Sequence, residues 1–149
     1  MMDFGCHRID LMIYLLGDIL SARGELRNLR FKRRDVEDHA VGTLSFASAR
    51  GKSQGPIGCL TATHCLSGED QFEVIGTSGK LVTPNLGRGI LYAVTARGPE
   101  TFDLPPPSNF HCPLVAEFNQ ALLDKREPLI PGVEGAKTTR ALDQIYGRL

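Results

Sequence analysis

Along residues 7–16 the apolar positions Ile9, Met12, Ile13 and Leu16 follow the i, i+3, i+4, i+7 stripe of a helix packed on one face. Leu11, Tyr14 and Leu15 add a second apolar strip, which predicts cover on more than one side, and Gly17 is placed to end the helix. Strand-like runs follow at 19–31, 39–48, 57–66, 72–75, 80–83, 90–96 and 101–104. They are separated by turn pairs at Arg50-Gly51, Ser67-Gly68, Ser78-Gly79 and Gly98-Pro99. Connections this short suit antiparallel hairpins, because a parallel crossover needs a dozen or more residues. Pro105-Pro106-Pro107 breaks the strand pattern. Two helices are then predicted, one with Leu114, Phe118, Ala121 and Leu122 on a face and Lys125-Arg126 at its C-terminal end, the other with Leu142, Ile145, Tyr146 and Leu149.

The pattern predicts an α+β fold: a mainly antiparallel open sheet with helices packed on one face. It reads as one domain over 1–149, divided into a motif and helix (1–17), a sheet (18–104), a linker (105–112) and two helices (113–149). Run 57–66 has small, semi-apolar residues on both faces: Ile57, Cys59, Thr61, Thr63 and Cys65 alternate with Gly58, Leu60, Ala62, His64 and Leu66. A sheet with one wet face alternates apolar with polar. The second face is therefore expected to pack on another copy of the chain, making a homodimer. The plainer alternative is a lightly polar solvent face.

Composition narrows the classes. The chain has 149 residues, with 17 Lys+Arg against 17 Asp+Glu, 42% hydrophobic and 23% charged. That suits one globular domain and excludes a disordered chain. The balanced charge argues against a nucleic-acid partner. No apolar run approaches the roughly 20 residues of a membrane span. The stretch 11–16 is too short for an export signal. Cys6, Cys59, Cys65 and Cys112 lack paired short spacing, so they are expected as reduced thiols in a cytoplasmic protein rather than a zinc site. His64-Cys65 and His111-Cys112 are weak metal candidates, since neighbours on a strand point to opposite faces. Arg27, Arg30, Lys32, Arg33 and Arg34 make a basic cluster, read either as a solvated strand edge or as a seat for an anion.

The densest chemistry lies at the start, where Asp3, His7 and Asp10 are spaced by four and three residues. Such spacing puts His7 and Asp10 on one side of a helix. A carboxylate beside an imidazole orients it and favours its protonated form, which suits acid/base work near neutral pH. On the residues alone the plainer reading is favoured, with Asp3 as a helix cap and His7 as a satisfied, partly buried histidine. Asp3-Phe4-Gly5 also matches the kinase magnesium triplet, a coincidence without that enzyme's other motifs.

The pattern Asp3-x-Gly5-x-His7-x-x-Asp10, followed by Leu15-Leu16-Gly17, resembles the opening of the C-terminal domain of the glucose–fructose oxidoreductase/inositol dehydrogenase (Gfo/Idh/MocA) family. Further stretches resemble it in order along nearly the whole chain. These are Val36-Glu37-Asp38-His39-Ala40 leading to Leu44-Ser45-Phe46, the run from Phe72 through Gly76-Thr77-Ser78-Gly79 to Leu81, Glu117-Phe118 with Ala121, and Gly132-x-Glu134-Gly135-Ala136. The resemblance implies a substrate-binding and oligomerisation domain of NAD(P)-dependent oxidoreductases of sugars and polyols. It implies His7 as catalytic acid/base, Asp3 as its assistant and Asp10 as a substrate contact.

The family places a dinucleotide-binding domain ahead of this motif, whereas these residues hold no G-x-G-x-x-G, and Gly76-x-x-Gly79-Lys80 is too short for a P-loop. NAD or NADP is thus implied for the full-length family, with none bound by this chain alone. Hydride transfer is not expected without a separate nucleotide-binding domain. Two classes stand: a stand-alone or truncated substrate domain, taking a sugar or polyol, and a non-catalytic ligand-binding or assembly module on the same fold.

Overall fold

In the computed structural model, which describes residues 1–48, 51–65 and 70–149 (51–54 in backbone only), the first apolar stripe becomes helix α1, Gly5–Leu16. It buries Gly5, Ile9, Met12 and Ile13. Gly17 ends it at φ 92°, its N–H reaching the Ile13 carbonyl at 2.9 Å. Of the second apolar strip, Tyr14 and Leu15 are exposed: α1 is covered from one side.

The chain divides into two compact units, Met1–Cys65 with Leu129–Leu149, and Leu66–Pro128. The first holds strands β1 (Ile19–Arg27), β2 (His39–Ser48) and β3 (Gly51–Thr63) in the order β1-β2-β3, both pairs antiparallel. Burial alternates along β2, so Ala40, Leu44 and Phe46 point into the core while Val41, Thr43 and Ser45 face outward. The register sets Leu44 between Ala22 on β1 and Gly58 on β3. Helices α1 and α3 (Gly132–Ile145) cover this inner face.

Small residues let the helices approach. A Cβ at Gly58 would stand 2.8 Å from the Met12 sulfur and 3.1 Å from Phe46 Cε2, and one at Gly24 would stand 2.6 Å from Ile145 Cγ2. Ile9, Leu44 and Phe46 are completely buried between these layers. Each contributes about 1.5–3 kcal/mol of transfer free energy. Gln144 of α3 accepts the Ala22 N–H at 2.6 Å, tying the helix to the sheet edge.

The second unit is a hairpin series: β4 (Phe72–Gly76), β5 (Gly79–Thr83), β6 (Ile90–Thr95) and β7 (Gly98–Asp103), paired in sequence and all antiparallel. The glycines of the expected turns, Gly79 (φ 144°) and Gly98 (φ 110°), adopt backbone that other residues disfavour. Helix α2 (Cys112–Leu123) buries only Ala121, leaving Leu114, Phe118 and Leu122 exposed.

The α+β class and antiparallel pairing agree with the sequence reading, with two differences of detail. Among the described residues the strands fall into a three-stranded and a four-stranded sheet, one in each unit, where the sequence pattern suggests a single sheet. Short turns dictate that consecutive strands pair; they carry no information on whether successive hairpins join. The first strand also stops at Arg27, because the carboxylate of Asp38 captures the backbone that would have extended it. Lys125-Arg126 fall beyond α2, whose cap is Asp124. Arg50, Leu66, Ser67 and Gly68, named in the expected turns and third strand, lie outside the described residues. Among the described residues no helix is long and apolar enough to cross a membrane.

Candidate functional site

The site grows from the N-terminal end of α1. Phe4 is the N-cap and no side chain caps the helix, so Asp3 is not spent as a cap. His7 lies exposed in the first turn, its imidazole without a hydrogen-bond or ion-pair partner among the described residues. Asp10, one turn on, accepts a hydrogen bond from Thr138 Oγ1 of α3 at 3.2 Å. Thr138 is itself buried, so one oxygen of an exposed carboxylate is held in place from below.

Asp3 meets a different histidine. Its Oδ2 stands 3.9 Å from Nε2 of His64, just past the end of β3, and the Phe4 ring tilts over the same imidazole at 5.0 Å between centroids. The structure therefore gathers Asp3, Phe4 and His64 at one corner, with His7 and Asp10 following on α1. Among the described residues neither carboxylate forms an ion pair with His7. Sequence reasoning weighed His64 only with Cys65 as a metal pair. The two take separate partners: the Cys65 sulfur lies 3.8 Å from the Asp38 carbonyl.

Asp38 organises the flank of this corner. Its buried carboxylate accepts the N–H groups of Leu29 (2.8 Å), Arg30 (2.8 Å) and Phe31 (2.6 Å). The Phe31 N–H above all, with those of Leu29 and Arg30, outweighs burial and holds the carboxyl down to about 2. Its carbonyl accepts the His64 N–H at 2.8 Å. Arg30 Nη1 donates to the Cys65 carbonyl at 3.3 Å, and the guanidiniums of Arg30 and Arg34 lie over Phe31 at 5.3 and 4.5 Å.

A second polar cluster joins the Met1 amine, Glu37 and Tyr146, both donors reaching the same Glu37 oxygen. Burial pushes the Tyr146 hydroxyl up to about 12, helped by the Glu37 charge. Burial works to raise Glu37, but the amine and the hydroxyl hold it below the ordinary carboxylate value. The apolar spacing of α3 finds Tyr146 but not this bond, which depends on where β2 begins.

Among the described residues no group of three or more His, Cys, Asp or Glu could hold a metal. Among the described residues all pairs of named strands are antiparallel, and Gly76 and Gly79 face each other across the β4–β5 turn. The described residues thus contain no β-α-β crossover of the kind that seats a pyrophosphate on a helix N-terminus.

The family described as GFO/IDH/MocA C-terminal domain matches residues 1–82. No curated protein matches the chain. Among solved structures it is similar to UDP-N-acetylglucosamine 3-dehydrogenase GnnA from Acidithiobacillus ferrooxidans, with 18% identity and a TM-score of 0.79 over 99% of this chain and 46% of that one. Levoglucosan dehydrogenase in complex with NADH and levoglucosan gives 20% identity and 0.76 over 97% of this chain and 46% of that one. The WlbA dehydrogenase from Bordetella pertussis, in complex with NADH and UDP-GlcNAcA, gives 21% and 0.66 over 98% and 41%. At these identities the likeness is one of fold. The chain spans less than half the length of each.

Proposed function

Because the chain belongs to the GFO/IDH/MocA C-terminal domain family, we propose that it forms the substrate-holding part of a nicotinamide-dependent oxidoreductase of sugars or polyols. The observation that carries this reading is the exposed His7 at the head of α1, one turn from an Asp10 carboxylate positioned by Thr138. An imidazole with no protein partner among the described residues is open to a substrate hydroxyl. In this reading His7 accepts the hydroxyl proton, Asp10 takes a neighbouring hydroxyl through its oxygen not bonded to Thr138, and Asp3 assists from the helix entry. Solved relatives of the same fold carry NADH with sugar ligands. NAD or NADP supplies the hydride chemistry in such enzymes. Here its seat belongs to a nucleotide-binding domain outside these 149 residues, which alone do not transfer hydride. The working compartment is the cytoplasm.

The outer face of the three-stranded sheet serves assembly. Ile57 is 74% exposed there, beside Val41, Thr43, Cys59 and Thr61, an uncharged stretch of β2 and β3 that Arg23, Glu25 and Arg27 of β1 border on one side. A second copy laid on this face would bury it as a homodimer. Light scattering is expected to give a dimer at micromolar concentration and a monomer for Ile57→Asp; a wild-type monomer overturns the assembly.

The test of function is a thermal-shift screen of sugars and polyols with and without NAD(P). A ligand at about 100 times its Kd stabilises the fold by about 2.7 kcal/mol. At least one sugar or polyol is expected to raise the melting temperature, with the rise lost in His7→Ala and no rise from NAD(P) alone. Tight nucleotide binding by this chain would overturn the division of labour. A ligand shift indifferent to His7→Ala favours the non-catalytic module.

A further inference from the structure

We propose that the loop between β1 and β2 is a phosphate-reading arm of this same site, selecting sugars that carry a phosphate or diphosphate; this rests on the sugar-oxidoreductase reading above. Three observations converge on it.

The first is charge. Residues 28–38 carry Arg30, Lys32, Arg33 and Arg34 against three carboxylates. Two of the three are consumed inside the fold, Glu37 by the Met1 amine and Tyr146, Asp38 by backbone N–H groups. Only Asp35 is left to answer four exposed cations, and none of the four has a carboxylate partner among the described residues. A chain with no net charge thus concentrates uncompensated positive charge on one short loop. Edge protection does not account for it, since the cations lie beyond Arg27, the last residue of the edge strand.

The second is order. Like charges crowd this loop, yet its backbone is held by the Asp38 carboxylate, by Asn28 Nδ2 donating to the Arg34 carbonyl at 2.7 Å, and by the Arg34 N–H on the Phe31 carbonyl at 2.9 Å. Phe31 supports two guanidiniums. A planar fork held on an aromatic ring presents its N–H edge to two oxygens at once, the geometry that suits phosphate; Arg34 has its whole edge available among the described residues, while Arg30 spends one Nη1 bond on the Cys65 carbonyl.

The third is place. Arg30 grips the carbonyl of Cys65, and the neighbouring His64 is the imidazole facing Asp3 at the head of α1. The arm and the sugar-handling residues share one corner of the unit.

Calorimetric titration of the full 149-residue chain with inorganic pyrophosphate, glucose 6-phosphate, UDP-glucose and glucose tests the proposal. The phosphate-bearing probes are expected to bind at least about tenfold more tightly than glucose, and less tightly as salt is raised. The double variant Arg30→Gln/Arg34→Gln should remove that advantage while glucose binding, which also reports an intact fold, is retained. The order of glucose 6-phosphate and UDP-glucose distinguishes a monoester from a nucleotide-linked diphosphate. Equal binding of charged and uncharged sugars, unaltered in the double variant, overturns the arm and leaves the oxidoreductase reading standing. Pyrophosphate binding that is lost in the variant, gains nothing from a sugar and ignores His7→Ala upholds the phosphate site and overturns the sugar reading. Retention on anionic lipid vesicles at physiological salt, without binding of any soluble probe, overturns the proposal.

Discussion

The carboxylate of Asp3 stands 3.9 Å from the imidazole of His64, just past the end of β3, and not against His7 on the helix that Asp3 precedes. Both partners are substantially exposed, at 76% and 42% of the side chain. A pair so solvated is worth between nothing and about 1 kcal/mol. Asp3→Asn is therefore expected to change unfolding free energy by less than about 1 kcal/mol in a urea titration, and by less still in salt. A larger loss would show that Asp3 serves the fold rather than a ligand.

Packing at Gly58 should be far less forgiving. A methyl there meets Met12 and Phe46, both in the layer between α1 and the sheet. Gly58→Ala is expected to cost about 1–3 kcal/mol by overpacking, measured as a lowered urea midpoint with an unchanged slope. Wild-type stability in that variant would mean that α1 does not sit as close to β3 as described.

Asp38 makes stability depend on acid. Its folded pKa, about 2, lies below the ordinary value of 3.8, so the unfolded chain takes up the proton first. The stabilisation is complete above about 4 and is lost as pH falls through 2. Asp38→Asn, which cannot ionise, should be less stable at neutral pH and show a flatter melting profile between pH 4 and 2. Parallel profiles for the two proteins would contradict the triple backbone bond.

Tyr146 has the opposite sense at the alkaline end. Its pKa is raised from 10.0 to about 12, so the unfolded state loses the phenolic proton first and stability falls as pH rises through that window. Tyr146→Phe should remove this fall. It should also cost about 1–3 kcal/mol at neutral pH, as the bond to the Glu37 carboxylate disappears. Alkaline titration followed at the tyrosine absorbance band, with circular dichroism, checks both.

Much of the architecture was legible from short-range pattern. Ile9, Met12 and Ile13 marked the buried side of α1, Gly17 its end, and Gly79 and Gly98 the hairpin turns, because each depends on backbone geometry within a few residues. The site was legible only in part. His7 and Asp10 were placed on a helix by spacing, but the group that positions Asp10, Thr138, comes from the last helix. Leu114, Phe118 and Leu122 promised a packed face on α2 and are exposed, since periodicity says that a face is apolar and nothing about what meets it.

What the amino-acid order determined by itself is local: helix and strand identity, antiparallel neighbours, and a histidine with acidic residues at a helix entry. Tertiary structure decided the rest: that the described strands fall into two sheets, that Asp3 turns to His64, and that Asp38 folds a cationic loop back beside that corner. The physical reason is range. Propensity and turn chemistry act between neighbours, whereas these contacts join residues remote along the chain and exist only once the layers have packed.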